Sequence, residues 1–106
     1  MSDSVFIDVA RDFSPYCGGR NIVDGPFSAE ALRVEHLAPA LADGGSIVVD
    51  LDGGIGFASS FLEEAFGGLV RSHGASVMQR VDVVSTTRPH RARCALRYMS
   101  EAVERG

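Results

Sequence analysis

The sequence predicts a layered α/β domain, and three observations carry that reading. SIVVDL, from Ser46 to Leu51, is an unbroken, β-branched run of the kind that forms a strand buried on both faces of a helix-covered sheet. FLEEAFGGLV, from Phe61 to Val70, repeats its apolar residues at helical spacing. Strand-like and helix-like segments alternate along the chain, the order of a layered α/β fold. At 106 residues the chain can bury one core and not two, so residues 1–106 read as a single domain.

The elements follow in order. VFIDVA, from Val5 to Ala10, alternates well enough for a short strand. Pro15, Gly18, Gly19, Gly25 and Pro26 punctuate the next stretch, which reads as turns with a short hairpin strand near Arg20 to Val23. Ser28 is placed to cap a helix from about Ala29 to about Leu41, with Glu30 adding an acid to its first turn. Pro39 is expected to kink or split that helix, because it removes a donor and crowds the preceding turn. Asp43-Gly44-Gly45 ends it, and the Ser46–Leu51 strand follows.

Asp52, Gly53, Gly54 and Gly56 form a tight turn region before a second helix, from Ser59 or Ser60 to about Ser72, closed by His73-Gly74. SVMQRVDVVS, from Ser76 to Ser85, is a further strand. Thr86 or Thr87 can cap a last helix from Pro89 to about Glu104, proline being accepted in a first turn. The count is a sheet of about four strands packed with helices.

Composition narrows the function. The chain is 45% hydrophobic and 23% charged, ordinary usage for a soluble domain. No apolar run approaches the ~20 residues of a bilayer crossing. MSDSVFIDVARD lacks the layout of a signal peptide, so the expected location is cytoplasmic. A net charge of −4 argues against nucleic acid as the main partner. Cys17 and Cys94 lie in no metal or redox spacing and read as two reduced thiols.

The helix after Ser59 raises the functional question. Phe61, Leu62, Ala65, Phe66, Leu69 and Val70 share one face, which packs on the sheet. Ser60, Glu63, Glu64, Gly67 and Arg71 share the other. Gly67 and Gly68 each cost a helix about 1 kcal/mol relative to alanine. Either Ser59 or Ser60 is a capping residue, or an exposed hydroxyl stands at a helix N-terminus above a bare backbone patch. A phosphate there would be favoured by the helix dipole and free N–H groups, and would add charge beside Glu63 and Glu64. Gly67 would let a partner approach the backbone.

VVDLDGGIGFASSFLEEAFGGL resembles the signature of STAS domains, the fold of anti-sigma-factor antagonists. Asp50 stands at the strand end, Gly53 in the turn, Ser59-Ser60 at the helix start and Leu62 next. Phe61 replaces a glycine of that signature, Ala58 an aspartate, and Asp52 a small residue. The chain resembles more closely a bacterial STAS-like family of unknown function, through Gly19-Arg20, Gly25-Pro26-Phe27-Ser28 and SSFLEEAFGGL, over roughly residues 18 to 85.

The resemblance implies a STAS-like α/β domain with a mixed sheet, acting as a non-enzymatic regulatory module without a cofactor or metal. The implied partner is a histidine-kinase-like ATPase or anti-sigma-factor-like kinase. The position phosphorylated in STAS antagonists falls on Ser60, with Ser59 as runner-up. The expected partner-binding patch is Asp52, Gly53, Ser59, Ser60, Glu63, Glu64 and Gly67.

Rival readings rest on fewer residues. Asp50 or Asp52 could serve a small metal-dependent or aspartate-based hydrolase or phosphotransferase, since sites of α/β folds gather at the C-terminal ends of strands. No spaced second ligand accompanies them or Asp8 and Asp12. His36, His73 and His90 have no inferable nucleophile partner. The strand-to-helix turn could bind a small ligand or nucleotide, although LDGGIG lacks the spacing of a phosphate loop. Arg88, His90, Arg91, Arg93 and Arg97 read as a solvated basic face rather than an anion site.

Overall fold

A computed structural model describes residues 4–105. Three strands, β1 (Ser4–Asp8), β2 (Ser46–Asp50) and β3 (Val81–Val84), form a parallel sheet in the order β1-β2-β3. Four helices accompany them: α1 (Val9–Asp12), α2 (residues 29–41), α3 (residues 59–73) and α4 (Pro89–Arg105).

The sheet among the described residues has three strands rather than four, and it is parallel rather than mixed. The expected hairpin strand at Arg20–Val23 is a 3₁₀ turn, Ile22–Asp24. Asn21 and Asp24 fix that turn by a reciprocal capping box, and Glu30 accepts from the Ile22 N–H at 2.8 Å. The expected strand from Ser76 begins only at Val81, because Ala75–Gln79 is a 3₁₀ helix entered through Gly74 at φ 93°. With no hairpin left, every strand-to-strand link passes through a helix, the crossover that parallel pairing needs.

The helices lie on one face of the sheet. Ile7, Ile47, Val49, Val81 and Val83 point into them and are buried with Leu32, Leu37, Phe61, Leu62, Phe66, Leu69 and Met99. β2 is therefore not buried on both faces. Its residues alternate, with Ile47 and Val49 buried and Ser46, Val48 and Asp50 half-buried. α3 is the middle helix of the layer and meets both α2 and α4.

Two helices carry a wide turn. In α2 the π turn spans Arg33–Leu37, and the Ala38 N–H reaches back to the Arg33 carbonyl. Pro39 sits two residues past its end, after Ala38, and the helix continues to Leu41. The widened turn draws away the carbonyls that a proline ring would otherwise meet, so Pro39 does not split the helix. In α3 the π turn spans Glu63–Gly67. Ser28 caps α2, its hydroxyl accepting from the Ala31 N–H at 3.1 Å. No helix among the described residues is long and apolar enough to cross a membrane.

Candidate functional site

The loop from Leu51 to Ala58 leaves the C-terminal edge of the sheet and delivers the start of α3. Two side chains hold it. Arg91, in the first turn of α4, is 7% exposed. Its guanidinium donates to the carbonyls of Leu51 at 2.7 Å, Gly54 at 2.9 Å and Ile55 at 3.4 Å, and lies over the Phe57 ring at 5.1 Å. A fork of fixed donors suits a row of converging carbonyls, which a lysine could not match. Arg91 is thus set apart from the solvated basic face to which its position in the sequence assigned it.

Asp52 supplies the second hold. Its Oδ1 accepts from the Ser85 hydroxyl at 2.6 Å and from the Thr87 N–H and hydroxyl, each at 3.0 Å; its Oδ2 accepts from the Thr86 N–H at 2.9 Å. These donors, Ser85 first, lower its pKa to about 2. Thr87, expected as a helix cap, instead ties the loop after β3 to the loop after β2. Asp50 faces the same turn, its Oδ1 accepting from the Asp52 N–H at 2.9 Å. Neither aspartate meets the other as a catalytic pair, and among the described residues no three of His, Cys, Asp and Glu gather as metal ligands.

Gly53 is exposed, but its Cα faces α1: an added Cβ would stand 2.6 Å from the Ala10 Cβ. Packing against α1 accounts for this glycine. Ile55 follows, tied by its N–H to the Pro15 carbonyl at 2.9 Å.

Ser59 and Ser60 are both exposed, and neither caps α3. Ala58 occupies the N-cap position and has no side chain to offer. The Phe61 and Leu62 N–H groups both reach the Ala58 carbonyl, at 3.0 and 3.2 Å. The two serines therefore stand at the first two helical positions, where N–H groups point out of the helix. Beside them a cleft of about 320 Å³ separates the first turns of α3 and α4, lined among others by Ser59, His90, Arg91 and Cys94.

One turn on, Glu63 and Glu64 enter an ion-pair network that sequence reading did not find. Arg20 NH1 lies 2.9 Å from Glu63 and 3.2 Å from Glu64. Arg33 of α2 lies 3.2 Å from Glu64, and Arg71 of α3 bonds Glu63 at 2.5 Å. Arg71 and Arg20 hold the Glu63 carboxyl below its ordinary range. Arg33 opens the wide turn of α2, and Glu63 and Glu64 open that of α3, so the network bridges the two.

The glycines sit beneath this network. Gly67 does lie on the Glu63 and Arg71 side, but it is buried: an added Cβ would stand 2.7 Å from a Glu63 oxygen and 3.2 Å from Arg71 NH1. Gly68 lies under Arg33, with its added Cβ 3.0 Å from Nε. The bare backbone expected to receive a partner is covered by the chain's own side chains. The upstream Gly19-Arg20 pair was the one available signal, since it marks an arginine brought near the helix by a turn. Gly19 stands at φ 87°, and an added Cβ there would stand 2.8 Å from the Asp24 Cβ.

Cys17 and Cys94 are free and half-buried. Burial pushes the Cys17 thiol up to about 11, and its Sγ donates to the Ser14 carbonyl at 3.2 Å.

Fold and site together define a two-layer α/β domain whose strand–turn–helix unit, Asp50 to Leu62, presents two free serines. A family model described as a STAS-like domain of unknown function (DUF4325) matches residues 28–91, more than half of the chain. The chain belongs to this STAS-like family. No curated protein and no solved structure matches it.

Two measurements follow from the clamp and the network. An unfolded aspartate titrates near ~4, whereas Asp52 is held at about 2. Its ionised form thus stabilises the fold above about pH 4, and this contribution is lost as pH falls from ~4 toward ~2. In urea unfolding, Asp52→Asn is expected to be less stable than wild type at pH 7, with the gap narrowing below about pH 3. An equal gap at both pH values would remove the charge from the account.

The glycines separate by what their Cβ would meet. Gly53→Ala meets a fixed Cβ and is expected to cost about 1–3 kcal/mol in chemical denaturation. Gly67→Ala meets the tip of a flexible glutamate and gains up to about 1 kcal/mol of helix propensity. Its stability is expected near wild type, while the Glu63 carboxyl, followed by NMR titration, returns toward its ordinary range. A large loss of stability in Gly67→Ala would show that the ion-pair network is rigid.

Proposed function

We propose that the domain is a regulatory protein-interaction module whose partner surface surrounds the start of α3, and that the partner is a histidine-kinase-like ATPase or a related anti-sigma-factor-like kinase. One observation carries this reading: Ser59 and Ser60 are exposed at the first helical positions and do no capping work. A serine serving only the fold would sit one position earlier, where Ala58 is. Ser60 is the switch in this proposal and Ser59 its alternate. A phosphoryl group on Ser60 would bring close to two negative charges to the turn that carries Glu63 and Glu64, and a closely fitted acidic surface would then be repelled.

The roles within the patch divide by exposure. Ser59, Ser60 and the exposed rim of the 51–58 loop touch the partner. Asp52 and Gly53 hold that loop in place. Glu63, Glu64 and Gly67 set the floor on which Arg20 rests, and Arg20 and Arg71, each close to half exposed, present the network's cations. Exposed apolar side chains border this region: Tyr16 and Ile55, 72% and 73% exposed, where the two loops are joined, and Ile22 and Val23 on the turn after Arg20. Rings and branched aliphatics of this kind anchor protein interfaces.

The enzyme reading receives no support from Asp52, whose carboxylate is engaged by four donors of its own chain. The cleft between α3 and α4 favours a second reading, a small anionic ligand held where two helix N-termini converge near His90 and Arg91. A phosphate titration followed at the Ser59 and His90 amides checks it; saturable shifts are expected on this reading, and unmoved amides dismiss it.

The interaction reading is tested by affinity purification from the native host. Wild type is expected to retain an ATPase-like protein that Ser60→Asp loses, with Ser60 found phosphorylated by mass spectrometry in a fraction of the free protein. A partner held equally by both variants would leave the module and eliminate the switch.

A further inference from the structure

We infer that the helix-free face of the sheet is a docking surface for a single basic amphipathic helix of about three turns, supplied by another chain. Parallel sheets ordinarily have both faces covered. Here the register places Phe6, Val48 and Asp82 in one row across this face and Asp8, Asp50 and Val84 in the next. Phe6 is 52% exposed, and Phe6, Val48 and Val84 belong neither to the core nor to the residues packed against it. An apolar strip is thus left open on an element whose other face is fully used.

Charge, shape and size select the occupant. The two rows carry three carboxylates and no cation, and among the described residues none of Asp8, Asp50 and Asp82 is in an ion pair. Asp8 and Asp50 each accept one backbone N–H, from Arg11 and Asp52, and Asp82 is exposed. The nearest cationic side chains are already engaged: Arg11 pairs with Asp12 at 3.0 Å, and Arg80 donates to the carbonyls of Gly45 and Leu41. At the lower end a groove of about 370 Å³ opens where Val48 and Asp82 meet Met78 and Gln79, room for a long side chain. Three strands of five residues or fewer make a face of roughly 14 by 16 Å. That is the footprint of one helix of about three turns, and too small for a stable globular interface.

A second copy does not fit the requirement. Its basic helix is α4, but the apolar side of α4, with Ala95, Met99 and Ala102, is buried in its own core. It would bring arginines without an apolar stripe. The face also lies across the sheet from α3, so the inference stands apart from Ser60.

The probe is a synthetic peptide of about fourteen residues with leucines in an i, i+3, i+4, i+7 stripe and lysines beside it. It is titrated into the isotope-labelled full chain and followed by amide shifts. Saturable shifts are expected at Phe6, Val48, Asp82 and Val84. Replacing the lysines by glutamates, or scrambling the stripe at constant composition, is expected to abolish them. Asp82→Lys and Phe6→Ser, both exposed positions, are each expected to weaken binding about tenfold. Shifts centred on Ile22, Val23 or Ser60 would overturn the inference. So would equal binding of the scrambled peptide, no binding at all, or a self-associated chain in which these amides are already covered.

Discussion

The guanidinium of Arg91 is the contact on which the candidate site depends. A positive charge this deeply buried is tolerable only where its donors are met, and here they are met by backbone carbonyls rather than by a carboxylate. Those carbonyls all belong to the loop that runs from β2 to α3. The loop contains three glycines, and between Leu51 and Phe57 no side chain of its own reaches the core, so without the arginine its conformation would be weakly determined. Asp52 closes the circuit from the other side by accepting from the loop after β3. Together the two residues weld the ends of β2 and β3 to the starts of α3 and α4. The position of Ser59 and Ser60 is set by that weld, not by any bond the serines make themselves.

The large features of the fold were legible because they depend on local pattern. The β-branched run before Asp52, the capping serine before α2 and the apolar face of α3 are each written in consecutive residues. The hairpin strand was misread because Asn21, Asp24 and Glu30 compete for its backbone with side-chain hydrogen bonds, which residue propensity does not register. The length of β3 was misread for a related reason, since Gly74 turns the chain into a 3₁₀ helix before the apolar alternation begins. Burial of β2 on both faces was inferred from composition, yet a parallel sheet does not itself supply the second layer.

At the site the boundary between legible and hidden falls along sequence distance. The serines, the aspartate and the glycines could be picked out because the strand–turn–helix unit is contiguous. Their partners could not, because Arg20, Arg33, Ser85, Thr87 and Arg91 come from four other segments: the loop before α2, α2 itself, the loop after β3, and α4. The helical wheel placed Gly67 on the correct side of α3 and gave the wrong surroundings, because a wheel shows direction and not what long side chains from a neighbouring helix do. The pair Gly67-Gly68 is explained by two arginines and two glutamates that need the space a methyl group would take.

The wide turns of α2 and α3 have a consequence for how this domain tolerates change in length. Each accommodates one more residue than an α-helical turn would. An extra residue in a regular α-helix would rotate everything beyond it by about 100°. The wide turn at Glu63–Gly67 absorbs such a residue locally, so the first turn of α3 and its body keep a common phase. Deleting one residue there would let the helix close into regular α geometry with Ser60 still at the end of the loop and the buried residues beyond Gly68 still in the core. The wide turn is thus slack in the helix: a residue can be lost at this point without turning the serines away from the face that the loop aims them at, whereas the same loss elsewhere in α3 would set its two ends against each other.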